Sequence, residues 1–563
     1  MLAALVWIAK YWLSGDFGLY EDDYTRTPRA MVMGFPELLE RLVESFRNFV
    51  DHGKPLHASL LYALSYFGNQ IAGIQGIYLI GYLIVTINAI LFFELIRRVY
   101  GLNFAFLAGL AFVLFAADTT QALITHALGL QTSLTFTLLA MHCFRAGRRA
   151  FVYLFAFIVL INYEVPFPLF FAFPLIEEQW DRRWFGRFWI HAVLLGTILA
   201  LYISIRYAMG ESRVTGLSYP ELLTTPLTHM IQGPIVSLGT YFYRPIQAIS
   251  EMGTAGFVAT ILIAPILYLA IDRLSPSQPL ELHEAKSRFK HFFRASEPDV
   301  SNRSQSAADV DVLTLMRATV FGIANISLAY LFTFTVRAYA ISGRETRVHP
   351  AAAIGAAILI AVFGTLLLRL TKRSGLQWLG SGFLAGLFSL LIGFGFVVQH
   401  DYARSWELQR TFWTQVVALT PDIEKDTAIL IEPTGLEKTQ YIDANTWNMP
   451  RVLNQIYTFP EQWEWYEEPR VYWLWPTWRD MIWVDGTTTF RIDEATTLPP
   501  SAYFKNTQAE NVILLEMQNG QLVRVGPELI IEGKTFVLKT VEDASSPDFP
   551  HGVLYPLLIG SGK

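Results

Sequence analysis

Long apolar runs separated by short polar stretches make up most of the first 400 residues. A helix needs about 20 apolar residues to cross the hydrocarbon core of a membrane. Apolar runs lie at residues 71–95, 103–118, 122–143, 150–162, 165–176, 188–208, 255–272, 315–335, 350–369 and 377–398. Met1–Leu13 is too short to span comfortably, and we expect it to form the outer part of a first helix. The pattern predicts about eleven transmembrane helices.

The apolar stretch between residues 150 and 176 is interrupted by polar and proline positions. Asn162-Tyr163-Glu164 divides the stretch, and three prolines follow in its second half. Because proline removes a helical hydrogen bond, two short helices or one kinked pair are predicted here. The orientation set by the charged loops requires that the two halves count as two crossings.

Positively charged residues are concentrated in alternate loops between the apolar runs. The groups are Arg97-Arg98, Arg145-Arg148-Arg149, Arg182-Arg183-Arg187, Lys286-Arg288-Lys290-Arg294 and Arg369-Lys372-Arg373. Short loops rich in lysine and arginine stay in the cytoplasm. Residues 14–70, 209–254, 336–349 and the chain after about residue 399 are therefore predicted on the outer face of the cell membrane.

Two long regions lack the membrane pattern. Residues 273–312 are polar and predict a cytoplasmic linker. Residues 400–563 are long enough for a core of their own, and short β-branched or aromatic runs there predict strands. These runs are Thr427–Ile431, Val471–Trp475, Asn511–Met517, Gln521–Val525 and Thr535–Lys539. The predicted fold is an α-helical polytopic membrane module at 1–399, followed by an extracytoplasmic α/β or α+β domain at 400–563.

Composition supports an integral membrane protein and excludes several other classes. The 563 residues are 53% hydrophobic and 16% charged, whereas soluble domains carry about 25% charge. The formal net charge of −5 argues against a nucleic-acid partner. Cys143 is the single cysteine, so neither an intramolecular disulfide nor a cysteine-rich metal site is expected.

An acidic loop follows the predicted first helix directly. Glu21, Asp22 and Asp23 are consecutive, and Arg26 follows them. Three adjacent carboxylates repel one another, so at least one is expected to have a raised pKa unless a cation or substrate compensates. Such a carboxylate can accept a proton from a hydroxyl or amide nucleophile. A solvated acidic turn is the alternative interpretation.

The same outer loop continues with an amphipathic segment and a short motif. Apolar residues from Phe35 to Phe46 fall on one side of a stretch at 36–50 that predicts an interfacial helix. Gly53-Lys54-Pro55-Leu56-His57 then leads into the second span. The order of short helix, Asp-Asp-Tyr, interfacial helix, this motif and second span resembles the GT-C superfamily of membrane glycosyltransferases. Asn162-Tyr163-Glu164 at the outer end of a span is also similar to that superfamily.

The resemblance implies a glycosyltransferase with an inverting mechanism. The sugar would come from a polyprenyl-phosphate or pyrophosphate donor and pass to an acceptor on the extracytoplasmic side. In that superfamily an acidic residue of the first outer loop is the catalytic base or orients the acceptor, and by resemblance this role falls on Asp22 or Asp23. Some members need a divalent ion and others do not, so a Mg²⁺ or Mn²⁺ site using Glu21, Asp22, Asp23 and Glu164 stays open.

The departing phosphate of such a donor needs cations held at the outer surface. The outer loops carry Arg26, Lys54, Arg206, Arg213, Arg244, Arg337, Arg344 and Arg347. The planar guanidinium group binds phosphate oxygens bidentately, so Arg344, Arg347 and Arg244 are the first candidates, with Lys54 and Arg206 behind them. Arg206 lies inside its span and should therefore have a partner. Interfacial snorkelling or pairing with an acid is the alternative for each cation.

Histidines supply further candidate groups near the outer face. His57, His126 and His349 are predicted near the outer face, where imidazole can transfer protons near neutral pH, and His57 and His349 are supporting candidates. No two of them have the His-x-x-x-His spacing of a zinc site. A cluster containing Trp463, Trp465, Trp473, Trp475, Trp478 and Trp483 is explained either by a buried strand or by sugar binding.

Two other functions remain open from the sequence. One is a structural or assembly subunit of a larger membrane complex with a vestigial transferase site. The other is a lipid or polysaccharide transporter, which should have ionisable groups near mid-bilayer, whereas these residues are concentrated at the outer edge. The sequence contains neither an internal repeat nor a Gly-x-x-x-x-Gly-Lys-Ser/Thr phosphate loop, so neither feature is there to support a transporter.

Overall fold

The computed structural model describes most of the chain as two compact units. The described residues are 1–48, 53–176, 180, 182–209, 219–274, 311–334, 337–432, 434–442, 449–464, 467–473, 482–485, 489–492, 507–531, 534–540 and 549–560. The unit that we call the helical unit comprises Met1–Asp16, Phe35–Asp401 and Gln440–Ile442. The unit that we call the sheet unit comprises Phe17–Gly34, Tyr402–Thr439 and Asp443–Lys563.

The helical unit is built almost entirely from helices. They are Leu2–Val6, Phe35–Arg47, Pro55–Tyr100, Leu102–Val113, Gln131–Arg145, Arg149–Asn162, Arg182–Ala208, Tyr219–Glu251, Thr254–Arg273, Val312–Leu328, Ala353–Arg373 and the part of Gln377–Leu419 that ends at Asp401. Short π-helical turns lie at Trp7–Tyr11 and His126–Leu130, and 3₁₀ turns at Ser14–Asp16, Phe167–Ile176, Arg344–Val348 and Pro350–Ala352.

Six helical segments of the described chain are long and apolar enough to cross a membrane, by length and composition. They are Pro55–Tyr100, His126–Arg145, Arg183–Ala208, Thr254–Arg273, Pro350–Arg373 and Gln377–Leu419. Four shorter apolar helices lie at Leu102–Val113, Arg149–Asn162, Phe167–Ile176 and Val312–Leu328. The stretch at 150–176 thus contains two short elements, and prolines shape the second of them. The number of eleven spans stays a prediction.

The Pro55–Tyr100 helix is interrupted near its middle. A straight helix of its 46 residues would be about 69 Å long, more than twice the hydrocarbon thickness. Ala72 and Gly73 have non-helical dihedral angles, and Gly73 has a φ of 60°. The chain therefore bends here, and the arm after Gly73 corresponds to the predicted span at 71–95.

The apolar helices differ in how much protein covers them. In the most apolar windows of Pro350–Arg373 and His126–Arg145, 78% and 72% of the residues are buried. The corresponding shares for Arg183–Ala208 and Thr254–Arg273 are only 17% and 22%. Large side chains such as Trp189 are exposed on these two helices. Apolar surface of this kind suits contact with lipid tails, which agrees with a multi-pass membrane protein.

The sheet unit contains a mixed four-stranded sheet. Its strands are β1 (Ala428–Glu432), β2 (Arg470–Trp473), β6 (Val512–Gln518) and β7 (Gln521–Arg524), in the order β2-β1-β6-β7. β1 is parallel to both neighbours, whereas β6 and β7 form an antiparallel hairpin. The buried central strand β1 is continuously apolar up to Ile431, as expected for a parallel strand covered on both faces.

Smaller elements complete the sheet unit. Three strands, β3 (Ile482–Asp485), β4 (Thr489–Ile492) and β5 (Thr507–Gln508), form one antiparallel sheet, and β8 (Glu528–Ile531) pairs with β9 (Lys534–Val537). Helices lie at Asp23–Val32, Met449–Ile456 and Tyr555–Leu558. All five predicted strand runs overlap observed strands, whereas β3, β4, β5 and β8 were not predicted. The extracytoplasmic location stays a prediction.

Candidate functional site

A cluster of three charged residues lies in the helical unit. Lys54 Nζ is 3.0 Å from Glu164 Oε2, and Arg206 Nη1 is 3.6 Å from Glu164 Oε1. The side chain of Lys54 is only 9% exposed. One carboxylate thus faces two cations, which leaves the cluster with one net positive charge. We call these three residues the cation cluster.

Local sequence explains how three distant segments supply this cluster. Lys54 is the N-cap residue of the Pro55–Tyr100 helix. Pro55 is tolerated at the first helical position because the N–H group that proline lacks would have no helical partner there. Glu164 follows the end of the Arg149–Asn162 helix, after the extended residue Tyr163. Arg206 lies in the last turn of the Arg182–Ala208 helix. The sequence expectation that Arg206 has a partner agrees with this ion pair.

Gly53 is required by the packing of Arg206. Its φ is 89°, and a Cβ atom there would lie 2.7 Å from Arg206 Cγ. Tyr202 Oη donates to the carbonyl oxygen of Gly53 at 3.0 Å and accepts from Arg206 Nη1 at 3.3 Å. Gly53 of the Gly-Lys-Pro-Leu-His motif therefore leaves room for the Arg206 side chain, and its carbonyl oxygen holds the Tyr202 hydroxyl that bonds to Arg206.

The charges of Lys54 and Arg206 favour the ionised form of Glu164. Burial would raise the pKa of Glu164, but the charges of Lys54 and Arg206 outweigh it and hold this pKa below its usual value. The ammonium group of Lys54 also lies 4.4 Å from the centre of the Tyr163 ring. A desolvated cation over an aromatic face gains about 2 kcal/mol. The arrangement is suited to bind an anion.

Arg344 and Arg347 lie on a turn that contacts a buried polar loop of the same unit. The turn Arg344–Val348 precedes the Pro350–Arg373 span, and both arginines are half-buried. Thr346 Oγ1 accepts from the backbone N–H of Thr119 at 3.2 Å and lies 3.1 Å from Thr119 Oγ1. Both arginine charges interact with the imidazole ring of His126. The predicted pair of arginines is thus held beside a histidine.

His57 lies near Tyr163 and interacts electrostatically with His126. Its ring lies 5.8 Å from the ring of Tyr163, which covers Lys54. It also interacts electrostatically with His126. Four of the predicted residues, namely Lys54, His57, Arg206 and Glu164, therefore lie in one region of the helical unit, and His126 links this region to Arg344 and Arg347.

The polar loop between the Leu102–Val113 helix and His126 contains a residue that the sequence analysis missed. Asp118 is 4% exposed, and its Oδ1 accepts from the backbone N–H and the hydroxyl of Thr120 at 2.9 and 2.7 Å. Thr120 Oγ1 is 2.9 Å from His126 Nδ1. Burial raises the pKa of Asp118 to about 6, although Thr120 and the charge of Lys10 oppose the shift. In the sequence, the feature that could have identified Asp118 is its position as a carboxylate at the end of an apolar run.

Arg244 is fully enclosed in the helical unit. It is 1% exposed, and its guanidinium group donates to Gln247 Oε1 at 2.6 Å and to the carbonyl oxygen of Ile341. The group lies 4.7 Å from the Phe394 ring and 5.1 Å from the Tyr441 ring. These contacts stabilise the packing around Arg244, and its role toward a phosphate stays a prediction.

His349 is also buried with both ring nitrogens occupied. Its Nδ1 lies 2.7 Å from Tyr330 Oη, and its Nε2 lies 2.7 Å from the carbonyl oxygen of Ala340. Burial lowers the pKa of His349 to about 4, and Arg244 contributes to the decrease. His349 is therefore neutral near pH 7, and its supporting role stays a prediction.

The acidic loop belongs to the sheet unit, where it starts the Asp23–Val32 helix. Asp23 is buried, and its Oδ2 accepts from the backbone N–H of Tyr20 at 3.1 Å. Asp22 is half-buried at the N-terminal end of the helix, where the helix dipole favours a negative charge. Glu21 is buried with a φ of 47°, an unusual conformation for a residue with a side chain. Arg26 is half-buried in the same helix.

Contacts within the sheet unit fix the segment that carries these acids. Tyr20 Oη donates to the carbonyl oxygen of Tyr402 at 2.8 Å and accepts from the N–H of Gly18 at 3.1 Å. A Cβ atom at Gly18 would lie 1.8 Å from the indole ring of Trp406, so this position needs glycine. Tyr24 Oη donates to Gln409 Oε1 at 2.6 Å. The acidic residues are thus held on a rigid support.

Several predicted features stay untested. The described residues contain no group of three or more His, Cys, Asp or Glu side chains arranged to hold a metal ion, and the divalent cation stays a prediction. Outside the described residues lie His52, Arg213, most of the linker at 273–312, Trp465, Trp475 and Trp478. The side chains of Trp473 and Trp483 are not described either. The catalytic and phosphate-binding assignments also stay predictions.

Comparison with known proteins gives two similar solved structures. No family model and no curated protein matches the chain. The structure of ArnT from Cupriavidus metallidurans bound to undecaprenyl phosphate is 13% identical, with a TM-score of 0.33 over 76% of this chain and 82% of that chain. The same protein in the apo state is 13% identical, with a TM-score of 0.31 over 73% and 78% of the two chains.

Proposed function

We propose that this protein is a multi-pass membrane glycosyltransferase with a lipid-linked donor. It takes a sugar from a polyprenyl-phosphate or pyrophosphate and transfers it, with inversion, to an acceptor on the outer face of the membrane. The observation that supports this proposal best is the cation cluster of Lys54, Glu164 and Arg206. The two cations lie beside one carboxylate and are largely shielded from water, so the cluster favours an anionic ligand such as a phosphate.

The two cations of the cluster suit different parts of phosphate binding. The guanidinium group of Arg206 presents a fork of N–H donors, whereas Lys54 is a compact point charge. Glu164 holds both cations in place before the donor binds. Arg344 and Arg347 add two further charges in the same unit, next to His126. A donor with its lipid tail in the bilayer would bring its phosphate to cations at the ends of the spans.

In the proposed reaction a carboxylate of the acidic loop activates the acceptor. The acceptor hydroxyl or amide gives its proton to Asp22 or Asp23, and its oxygen or nitrogen forms a bond to the anomeric carbon. The bond from that carbon to the phosphate oxygen breaks, and the electron pair leaves with the phosphate. A single displacement of this kind inverts the anomeric centre. Asp22 is favoured as the base, because Asp23 is buried and already accepts from Tyr20.

Single Asp22→Asn and Asp23→Asn proteins test this mechanism. Purified full-length protein would be incubated with a panel of synthetic polyprenyl-phosphoryl sugars, and sugar release or transfer would be measured. At least one variant should lose about 100-fold or more in rate while it still inserts and binds polyprenyl phosphate. Asp16→Asn is the matched control, because Asp16 is an exposed carboxylate of the same outer loop. Full activity of both variants would exclude an acidic-loop base.

A further inference from the structure

The two arginines of the turn Arg344–Val348 lie in a loop that a histidine side chain closes. Nε2 of His349 is 2.7 Å from the carbonyl oxygen of Ala340, 9 residues earlier in the chain. His349 is 0% exposed, so this hydrogen bond is shielded from water. Both Arg344 and Arg347 lie between its two ends. We call residues 340–349 the arginine loop.

Further hydrogen bonds hold the arginine loop to neighbouring segments of the helical unit. The N–H of Gly343 donates to the carbonyl oxygen of Tyr441 at 2.9 Å. Thr346 Oγ1 accepts from the N–H of Thr119 at 3.2 Å and donates to the carbonyl oxygen of Gly343 at 2.9 Å. The φ of Gly343 is 67°, a conformation that glycine adopts without strain. The backbone that carries the two arginines is thereby held at several points.

The partners of His349 determine which of its ring nitrogens carries the hydrogen atom. A carbonyl oxygen only accepts, so the Nε2 atom beside Ala340 is the donor. In a neutral ring Nδ1 then accepts, and the Tyr330 hydroxyl, 2.7 Å away, is its donor. Tyr330 Oη in turn accepts from Ser237 Oγ at 2.5 Å. The hydrogen bonds therefore run in one direction, from Ser237 through Tyr330 and His349 to Ala340.

Close packing holds Tyr330 in this position. Tyr330 is 0% exposed, and a Cβ atom at Gly233 would lie 2.4 Å from its ring. Gly233 and Ser237 have the i, i+4 spacing that places them on the same face of the Tyr219–Glu251 helix. One face of that helix therefore accommodates the Tyr330 ring and also bonds to its hydroxyl. The orientation of His349 is thus set by groups outside the arginine loop.

We propose that His349 is a positioning residue for Arg344 and Arg347 in the binding of the donor phosphate. The inference rests on the proposed function, because the phosphate is that of the polyprenyl-linked sugar. Arginine binds phosphate oxygens bidentately only when its planar group is correctly oriented, and that orientation depends on the backbone from which the side chain extends. A closed arginine loop holds this backbone in one conformation before the donor binds, which reduces the entropy lost on binding. His349 acts through the arginines and not on the donor.

The test measures how tightly variants of the full-length protein in detergent bind a synthetic polyprenyl phosphate. His349→Leu removes both hydrogen bonds of the ring and should weaken binding about tenfold. His349→Gln keeps a donor for Ala340 and an acceptor for Tyr330, so it should restore the affinity to within about threefold of that of the unmodified protein. Tyr330→Phe, which removes a single oxygen, should also weaken binding. It keeps the test valid if His349→Leu does not fold.

A double-mutant cycle shows whether His349 acts through the arginines. A protein that combines Arg344→Ala and Arg347→Ala should bind polyprenyl phosphate more weakly than the unmodified protein. In that background His349→Leu should change the affinity less than about twofold, because the groups that it positions are gone. A general loss of structure would instead weaken binding by the same factor in both backgrounds.

His191→Leu is the matched control for the loss of a buried histidine. Nε2 of His191 is 3.0 Å from the carbonyl oxygen of Phe170, and its Nδ1 is 3.1 Å from Tyr153 Oη. It therefore has the same kinds of partner as His349, but it lies about 22 Å from Arg206 along the same helix. This variant should lose stability as His349→Leu does and bind polyprenyl phosphate as the unmodified protein does.

Each other outcome overturns a defined part of the inference. Positioning by His349 is excluded if His349→Leu and Tyr330→Phe bind normally, if His349→Gln binds as weakly as His349→Leu, or if the loss is equal in both backgrounds. If the combined arginine variant binds polyprenyl phosphate normally, the arginine loop is not the phosphate site, while donor binding at the cation cluster stands. If the unmodified protein binds no polyprenyl phosphate, the proposed function fails, and the inference fails with it.

Discussion

Lys54 and Glu164 form an ion pair of 3.0 Å between the start of the Pro55–Tyr100 helix and the segment that follows the Arg149–Asn162 helix. The pair is largely shielded from water, and Arg206 shares the carboxylate from a third helix. Helix ends from three parts of the chain are thereby tied together at one place. The same carboxylate holds the two cations that the proposed donor would need. Loss of this carboxylate should therefore lower the stability of the protein and strengthen the binding of the donor.

Glu164→Gln is expected to separate these two effects. Removal of the carboxylate leaves Lys54 and Arg206 without their shared partner, which should lower the free energy of unfolding by about 2 kcal/mol, because breaking a partly buried ion pair leaves uncompensated charge. Polyprenyl phosphate should bind several-fold more tightly, since no carboxylate competes for the cations. Thermal unfolding and lipid titration measure both. Glu94→Gln, which removes a half-buried carboxylate paired with the exposed residues Arg97 and Arg98, is the control.

Gly53→Ala should disturb the cation cluster through Arg206. The added methyl group would lie 2.7 Å from Arg206 Cγ, and the φ of 89° is unfavourable for alanine. We expect a loss of about 1–3 kcal/mol in the free energy of unfolding and weaker binding of polyprenyl phosphate. Gly15→Ala, which meets nothing within 4 Å, should change neither quantity. Equal stability of the two variants would show that the contact at Gly53 is not restrictive.

The stability of the protein should depend on the ionisation of Asp118. Its pKa is raised to about 6, so between about pH 4 and pH 6 the folded protein binds a proton that the unfolded chain has released. Stability should therefore fall as the pH rises through this range, by about 3 kcal/mol, and stay level above it. The groups that act on Asp118 are Thr120 and Lys10, and Tyr11 and Tyr330 lie within its electrostatic range.

Asp118→Asn isolates this contribution from that of other titrating groups. Unfolding would be measured for both proteins at several values between pH 4 and pH 7. The variant should lack the part of the slope that Asp118 causes, so the difference between the two proteins should change with pH and become constant above about pH 6. Parallel curves over the whole range would contradict the raised pKa of Asp118.

Arg244→Lys should destabilise the protein mainly through packing. Lysine cannot reproduce the two hydrogen bonds to Gln247 and Ile341 or the planar contact with Phe394. A decrease of about 1–3 kcal/mol in the free energy of unfolding is expected. Arg337→Lys, at an exposed position, should have little effect. If Arg244→Lys instead weakens donor binding without loss of stability, Arg244 contacts phosphate, as the sequence suggested.

The positions of the apolar helices are the part of the fold that the sequence predicts best. The length and hydropathy of runs such as 350–369 and 377–398 are set by the bilayer, and helices at Ala353–Arg373 and Gln377–Leu419 include them. The strand runs in the C-terminal region also agree with β1, β2, β6, β7 and β9. A helical module at 1–399 and a C-terminal domain at 400–563 were predicted, but the place of residues 17–34 in the sheet unit was not. That assignment depends on contacts between distant residues, such as that of Tyr20 with Tyr402.

The candidate site was only partly accessible from the sequence. The sequence indicated that Arg206 has a partner, because a charged side chain inside a predicted span is costly without one. The identity of Glu164 as the partner depends on which helix ends meet in space, and no local pattern contains this information. Asp118 was missed because its position at the end of an apolar run does not by itself tell a buried carboxylate from a solvated loop residue. Only the structure shows that it is buried and that, among the described residues, one of its oxygens has no hydrogen-bond partner.

The bend at Ala72 and Gly73 has a consequence for how the protein tolerates different membranes. The arm from Gly73 to Tyr100 is about 42 Å long and can by itself cross a core of about 30 Å. The arm that begins beside Lys54 therefore does not have to cross the bilayer. A thicker or thinner bilayer would then be accommodated by tilting the longer arm, and the height of the Lys54 end above the lipid should vary little with acyl-chain length.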